Sequence, residues 1–451
     1  MRTVSITILF SFLWINVLIG QDTLLLDINT AMQIALDKNI NIRQEQNNLE
    51  INKLNKIQNM SYYLPDLNIS MSGSNKRGRQ FNNELGAMRN TNINNANITL
   101  SSNFQIFNGF GRIYNYSYIK NQYEAQENFI EQTKQNTLFN VTMQYLQVLL
   151  DKELIRITQE NIVAQKVVLE QIKGFVEVNI KSVVEQYTQE AQVKLLEVQL
   201  INLKNQLIND KAILSSTLML DKGKNYKLTV PDWSIDLTLL KELEFDSLWS
   251  IALQNRPDLK VLQNQVKASF YNLKIARSSR YPSLKASYSF STGYNDNYLI
   301  DDIIVESRRQ IFDDNPVNTV VLTLSIPIFN YLQTQSTIVN NKITYENNLL
   351  NYQALENSVY SQIESAYNGF LIAKESYAAG ISGLNAAKIS FEKQTERFNL
   401  GIGNIVEYSQ ASQNYIQAQA VEAQAEYSLL FQKIIIDYYT GILNINNLYY
   451  E

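Results

Sequence analysis

The chain has 451 residues, 39 Lys and Arg against 43 Asp and Glu, and neither histidine nor cysteine. A net charge of −4 offers no basic surface to nucleic acid. The missing residue types exclude imidazole acid–base chemistry, thiol nucleophiles, disulfides and the usual zinc ligands. No cofactor, metal or enzymatic activity is expected. The 6 prolines and 15 glycines suit long helices, and the 27 tyrosines suit either interfacial aromatic belts or core packing.

Residues 1–20 read as a secretory signal peptide, with Arg2, an apolar run from Ile6 to Ile19, and Gly20 before Gln21. The other reading is a membrane anchor, for which the run is short. Residues 21–220 form a first structural repeat. A helix capped by Asn29 or Thr30 runs to about Tyr63 and ends at Pro65. Leu67, Ile69 and Met71 then alternate with Asn68, Ser70 and Ser72 as a strand. A polar loop from Ser74 to Asn95 leads to the strand Ile98–Phe107. There Ile98, Leu100, Phe104 and Ile106 share one face, and Thr99, Ser101, Asn103 and Gln105 the other. Asn108-Gly109-Phe110-Gly111 turns the chain into a helix reaching about Asn179. Its Val141, Val148, Ile155, Ile162, Leu169 and Val176 recur every seven residues, a coiled-coil seam. At ~1.5 Å per residue it spans roughly 100 Å. A break over Asn179–Ser182 reverses the chain. Val193, Leu196, Leu200, Leu203 and Leu207 mark the return helix.

Residues 221–246, with Gly223, Pro231 and Trp233, read as an irregular connector. A second repeat fills 247–443, and 444–451 is a tail. Ala35-Leu36-Asp37-Lys38-Asn39 aligns with Ala252-Leu253-Gln254-Asn255-Arg256, Pro65 with Pro282, and Ile106-Phe107-Asn108 with Ile328-Phe329-Asn330. The seam recurs as Ile363, Phe370, Tyr377, Leu384, Phe391 and Phe398. Leu400-Gly401-Ile402-Gly403-Asn404 is the second tip. Each half therefore reads as helix, strand, loop, strand, long helix, turn, helix. The second half's strands carry Leu284, Ala286, Tyr288 and Phe290, then Val320, Leu322, Leu324, Ile326 and Ile328, on their apolar faces.

Four strands cannot close a barrel, which needs about eight, and an open edge in lipid leaves backbone groups unpaired at several kcal/mol each. If the strands span a membrane, several copies must close one wall, and a symmetric ring removes every edge. The helices carry Lys, Glu, Gln and Asn throughout, so they belong in water. The competing reading is a periplasmic or surface coiled-coil scaffold with no pore.

These features together resemble the outer-membrane efflux proteins of the TolC type. The resemblance rests on the Ala-Leu starts of both halves, Arg256-Pro257-Asp258, Leu64-Pro65-Asp66-Leu67, Tyr281-Pro282-Ser283-Leu284, Ser325-Ile326-Pro327-Ile328-Phe329-Asn330 and Phe398-Asn399-Leu400-Gly401-Ile402-Gly403. It implies a mainly α chain with long coiled-coil hairpins and four strands of a trimeric twelve-stranded transmembrane barrel, in the outer membrane of a Gram-negative bacterium. It implies a homotrimer embedded in outer-membrane lipid, a periplasmic adaptor (membrane fusion) protein, and an inner-membrane pump of RND or ABC type. The duct is a passive conduit for efflux or type I secretion, opened at its periplasmic tip.

The resemblance also assigns sites. Glu407, Glu185 and Gln410 correspond to the periplasmic aperture, with Gln410 where some members carry a second acid and Gly403 where some place a base. A solvated helix face is the other reading of both glutamates. Leu400, Gly401, Ile402, Gly403, Asn179 and Lys181 form the tips that an adaptor grips, and the glycines equally relieve turn strain. Pro65, Pro282, Phe107, Asn108, Pro327, Phe329 and Asn330 mark where the chain enters and leaves the barrel. Lys76, Arg77, Arg79 and Arg89 make the first outer loop basic, and Asp296, Asp301, Asp302, Asp313 and Asp314 make the second acidic. No function follows from that contrast in the sequence alone.

Overall fold

The computed structural model describes residues 24–82, 86–221, 226–230, 244–300 and 303–444. The expected signal peptide, Gly223, Pro231 and Trp233 of the connector, Asp301, Asp302, and the residues beyond Asn444 lie outside the described residues.

The first half runs β1 (Leu24–Leu26), α1 (Ile28–Lys38), α2 (Ile40–Ser61), β2 (Asn68–Asn82), β3 (Ala87–Asn108), α3 (Gly111–Glu177) and α4 (Val183–Thr217), followed by β4 (Tyr226–Leu228). The second runs α5 (Phe245–Asn255), α6 (Pro257–Ser278), β5 (Ser283–Asn295), β6 (Leu299–Ile300), β7 (Ile303–Ile304), α7 (Ser307–Arg309), β8 (Val317–Ser325), α8 (Gln333–Asn399) and α9 (Ile405–Tyr439). The helices α1 to α4 have 11, 22, 67 and 35 residues. Apart from the short α7, those of the second half have the same lengths in the same order. The duplication read from short motifs is thus present in backbone lengths.

The single opening helix expected in each half is two helices. Asn39 and Arg256, the residues aligned between halves, both leave the helical region, at φ −60, ψ 122 and φ −59, ψ 119. In the second half Pro257 biases its predecessor to extended backbone. The Arg256 guanidinium is held by Asp258 through two bonds of 2.9 and 2.5 Å. The first cap is Asp27, whose carboxylate accepts from the Thr30 N–H, rather than Asn29 or Thr30.

By contact density the chain divides into two compact units that cut across the repeat: 40–134 with 246–364, and the remainder. The first holds an antiparallel sheet of order β2-β3-β5-β8, so β2 and β8 are free edges. Ile69, Leu100 and Phe290 are cross-strand neighbours on one face, as are Phe104, Ala286 and Leu322. Ser70, Thr99 and Ser291 share the other face. Among the described residues no helix covers the apolar face: Met71, Val320 and Leu322 stay 71, 74 and 67% exposed.

Three strand details differ from expectation. The polar stretch Ser74–Asn95 is largely paired, with β2 and β3 running on to Asn82 and from Ala87. Alternating small and polar residues with β-branched neighbours keep the ladder going without any apolar face. A bulge between Gln105 and Phe107 sets Phe107, not Ile106, opposite Leu284. The last strand stops at Ser325, before Pro327, which leaves Ile326 and Ile328 outside it.

The second unit has its core around α3. Leu26, Ile28 and Met32 pack with Val141, Tyr145, Val148, Leu214 and Leu228. The connector is not wholly irregular, because β4 pairs in parallel with β1. The buried Tyr145 hydroxyl donates to carbonyls at Leu26 (3.0 Å) and Thr229 (2.6 Å), which spares the short ladder an unsatisfied end. Among the described residues no helix is long and apolar enough to cross a membrane.

Candidate functional site

The helix tips of the second unit are two copies of one backbone design. Asn179 and Gly401 both adopt left-handed conformations, φ 58 and 75, after α3 and α8. The next two amides, of Ile180 and Lys181, return to the Phe175 carbonyl, and those of Ile402 and Gly403 to the Arg397 carbonyl. Such a closure satisfies helix-end carbonyls. Gly401 supplies the conformation without a Cβ penalty, and Asn179 is a residue that tolerates it. Gly403 has another reason to be glycine, since a Cβ there would sit 3.0 Å from the Phe398 nitrogen.

The two acidic residues occupy matched cap positions. Ser182 accepts from the Val184 N–H while Glu185 reaches back to the Ser182 N–H at 3.0 Å, a capping box. Asn404 accepts from the Glu407 N–H at 2.8 Å, and its amide donates to Glu407 Oε1 at 3.2 Å. Glu185 is also paired with Lys181 at 3.4 Å in a largely shielded setting. Glu407 is open to solvent, with Arg397 Nη1 at 3.7 Å. Gln410, one turn further, donates to Asn414 Oδ1 at 3.0 Å. Leu400 and Ile402 are exposed, as are Ile180 and Val184 at the first tip.

Several contacts bind the tips together; of their members the sequence singled out Lys181 and Phe398, for other roles, and not the rest. Lys181 Nζ lies 3.8 Å from the centre of the Phe398 ring. Phe398 stacks on Tyr408 at 5.0 Å, and Ile172, Phe398, Ile405 and Tyr408 form one buried cluster. Deeper in, buried Gln189 donates to Gln165 Oε1 at 2.8 Å, and Gln165 donates to Ser412 Oγ at 2.6 Å. That chain of amides joins α4 to α3 to α9. A signal for it existed: three residues after each of the first four seam positions, α3 carries Gln144, Asp151, Thr158 and Gln165, a polar layer where a coiled coil ordinarily buries an aliphatic. Asp151 is fully buried and accepts from Gln147 and Gln206 at 3.1 Å each. Burial, with Asp210 beside it, pushes its carboxyl up to about 7.

The residues at the sheet ends are also matched. Asn108 accepts from the Arg112 amide (3.2 Å) and Asn330 from the Thr334 amide (3.4 Å), each fastening the start of its long helix. Gly109 and Phe110, then Tyr331 and Leu332, are all left-handed. Phe107 packs edge-on against Phe110 at 5.3 Å, and Phe329 lies against Tyr331 at 5.6 Å. Pro65 and Pro282 sit just before β2 and β5. These residues shape junctions. The tips expose apolar side chains, and β2 and β8 are the edges of the sheet.

Comparison with known proteins defines the class. The model of the outer membrane efflux protein family matches residues 31–218 and 248–441, one span for each half, and the chain belongs to that family. It is therefore an outer-membrane efflux channel protein, a result that favours the channel reading over the scaffold. It is 20% identical over 353 residues to the outer membrane efflux protein BepC of Brucella suis, covering 78% of this chain and 73% of that one. Its fold matches the Campylobacter jejuni CmeC outer membrane channel, with a TM-score of 0.78 and 18% identity over 92% of this chain and 85% of that one. It also matches the Vibrio cholerae outer membrane protein VceC, with a TM-score of 0.77 and 10% identity over 92% and 96%.

Proposed function

We propose that three copies of this chain close a twelve-stranded barrel in the outer membrane and form the passive exit duct of a tripartite efflux or secretion system. A duct of this kind does no chemistry of its own. The observation that carries the reading is the four-stranded sheet with an uncovered apolar face and two free edges, β2 and β8. In lipid such edges must be paired, and β2 of one copy against β8 of the next pairs all of them in a closed ring.

The repeat supports the same conclusion. Gly109 packs so tightly on the end of α6 that a Cβ would lie 2.4 Å from the Ser278 carbonyl oxygen. Its counterpart Tyr331 is 91% exposed. The matching helix end, at Ser61 of α2, is exposed as well. A neighbouring copy supplies each with the mate that the first-half exit finds within the chain.

The periplasmic tips then serve as gate and dock. Three Glu407 side chains around one axis form a carboxylate ring that favours cations, flanked by Gln410. The exposed Leu400 and Ile402, held by Gly401 and Gly403, with the Asn179–Lys181 turn beside them, receive the periplasmic adaptor. The adaptor joins an inner-membrane pump of RND or ABC type, which supplies the energy. Purification in detergent followed by planar-bilayer recording tests this. A trimer with stable conductance is expected. A monomer, or a trimer silent even with Glu407→Ala, overturns it.

A further inference from the structure

We propose that the basic outer ribbon of one copy is clasped by the acidic crossover between β5 and β8 of the next copy. The clasp rests on the three-copy reading above and names a contact that reading does not require. The ribbon is the far part of the β2–β3 hairpin. β5 leaves β3 at the Asn95–Asn295 pair, while β3 continues back to Ala87 with β2 alone. A two-stranded ribbon is marginal in water without a neighbour. This one carries Lys76, Arg77, Arg79 and Arg89, all exposed and none with an ion-pair partner among the described residues.

The crossover has the opposite character. Between Asn295 and Asn315 the sequence holds Asp296, Asp301, Asp302, Glu306, Asp313 and Asp314 against Arg308 and Arg309. Asp296 is committed to the backbone and side chain of Asn94, and Asp314 to Arg309 at 3.2 Å. Glu306 and Asp313 are exposed and unpaired among the described residues. The base of the crossover is fixed. Buried Gln310 accepts from the Asn295 N–H (2.9 Å) and donates to the Asn295 and Val305 carbonyls (3.0 and 2.7 Å). Asn315 donates to the Gly293 carbonyl at 2.7 Å. Asn295 pairs with Asn95, next to the Ser74–Asn95 pair, and the ribbon's cations begin two residues beyond Ser74. Within one chain the crossover meets the ribbon from the β3 side, where Asp296 holds Asn94. Lys76, Arg77 and Arg79 lie on β2, the edge strand, and a second copy with its β8 laid along β2 brings its own crossover to that open side at the same height.

The test is a charge swap. Arg77→Glu with Arg79→Glu, or Glu306→Lys with Asp313→Lys, is expected to lower the temperature at which the detergent-solubilised trimer dissociates by about 3 °C in low salt. Combining all four should restore it. In ~1 M salt, where screening acts within about 3 Å, the losses should disappear. A combined variant no better than the weaker parent, with the wild-type trimer intact, overturns the clasp alone. A wild-type monomer overturns the three-copy reading and the clasp with it. If the arginine variant keeps its dissociation temperature and instead loses binding to phosphatidylglycerol vesicles, the ribbon's partner is lipid and the clasp is overturned. Because the chain has no cysteine, Arg79→Cys with Asp313→Cys and a short bismaleimide should give covalent dimers and trimers, and their absence counts against the contact.

Discussion

The hairpins α3–α4 and α8–α9 have helices of equal length and tips of one backbone, yet they are packed with different materials. In α3 the aliphatic seam alternates with Gln144, Asp151, Thr158 and Gln165; in α8 a seam rich in aromatics alternates with Ala366, Ala373, Gly380 and Ala387. Small residues let α9 come close: a Cβ on Gly380 would lie 3.4 Å from the Glu422 Cα. Large seam residues such as Phe370 then fill what remains. The first hairpin instead places hydrogen bonds in its second layer, Asp151 accepting from Gln206 of α4 and Gln165 donating to Ser412 of α9, which water can replace when helices part. Duplication conserved the length and the turn. Divergence made one hairpin a tightly packed pair and the other a polar junction.

The sharpest way to break that contrast is Tyr408→Ala. Tyr408 is buried between Phe391 and Phe398 and anchors the second tip. Emptying the site should cost about 3–5 kcal/mol, read as faster hydrogen exchange of the first α9 turns. Gln186→Ala at the matching, half-buried place in α4 should stay within about 0.5 kcal/mol. Equal losses at the two tips would mean that the aromatic packing is not what distinguishes them.

The polar layer offers a second handle. Asp151 has its carboxyl raised to about 7 by burial and by Asp210, and its counterpart Ala373 cannot titrate. A carboxyl raised in the folded state favours folding while protonated. Stability should therefore fall as pH rises from about 4 through about 7 and level off above it. Asp151→Asn keeps an acceptor for Gln147 and Gln206, should flatten that slope, and should be more stable than wild type at pH 8 by about 2 kcal/mol. Urea midpoints at pH 5 and pH 8 measure both.

Much of this architecture was legible because it is periodic. The seven-residue seams, the alternating strands and the matched Pro65 and Pro282 gave helices, sheet and duplication from local pattern. What stayed hidden depends on contacts distant in sequence. Nothing in Ser74–Asn95 has the apolar alternation of a strand, so its pairing followed only from continuity of the ladder. The bulge at Ile106 shifts register by a single residue, which alternation cannot detect. Ser182 and Asn404, three residues earlier, carry a capping signal for Glu185 and Glu407 that the expected aperture role passed over, whereas the pairing of Glu407 with Arg397 needs the turn to be closed first.

The smallest expected change in stability concerns the residue of most functional interest. Glu407 and Arg397 are both about half exposed at 3.7 Å, and pairs of that kind contribute about 0.5 kcal/mol or less. Glu407→Gln also keeps a cap partner for Asn404, so the folded state should scarcely register it. Glu185→Gln should cost about 1 kcal/mol, because Lys181 loses a shielded partner. Conductance should rank the two residues in the opposite order. If three Glu407 carboxylates face one axis, neutralising them lowers the cation-to-anion permeability ratio, while Glu185→Gln leaves it near the wild-type value. An unchanged ratio in the Glu407 variant, recorded on a conducting trimer, would place that carboxylate away from the pore and leave it only the capping role that it shares with Glu185.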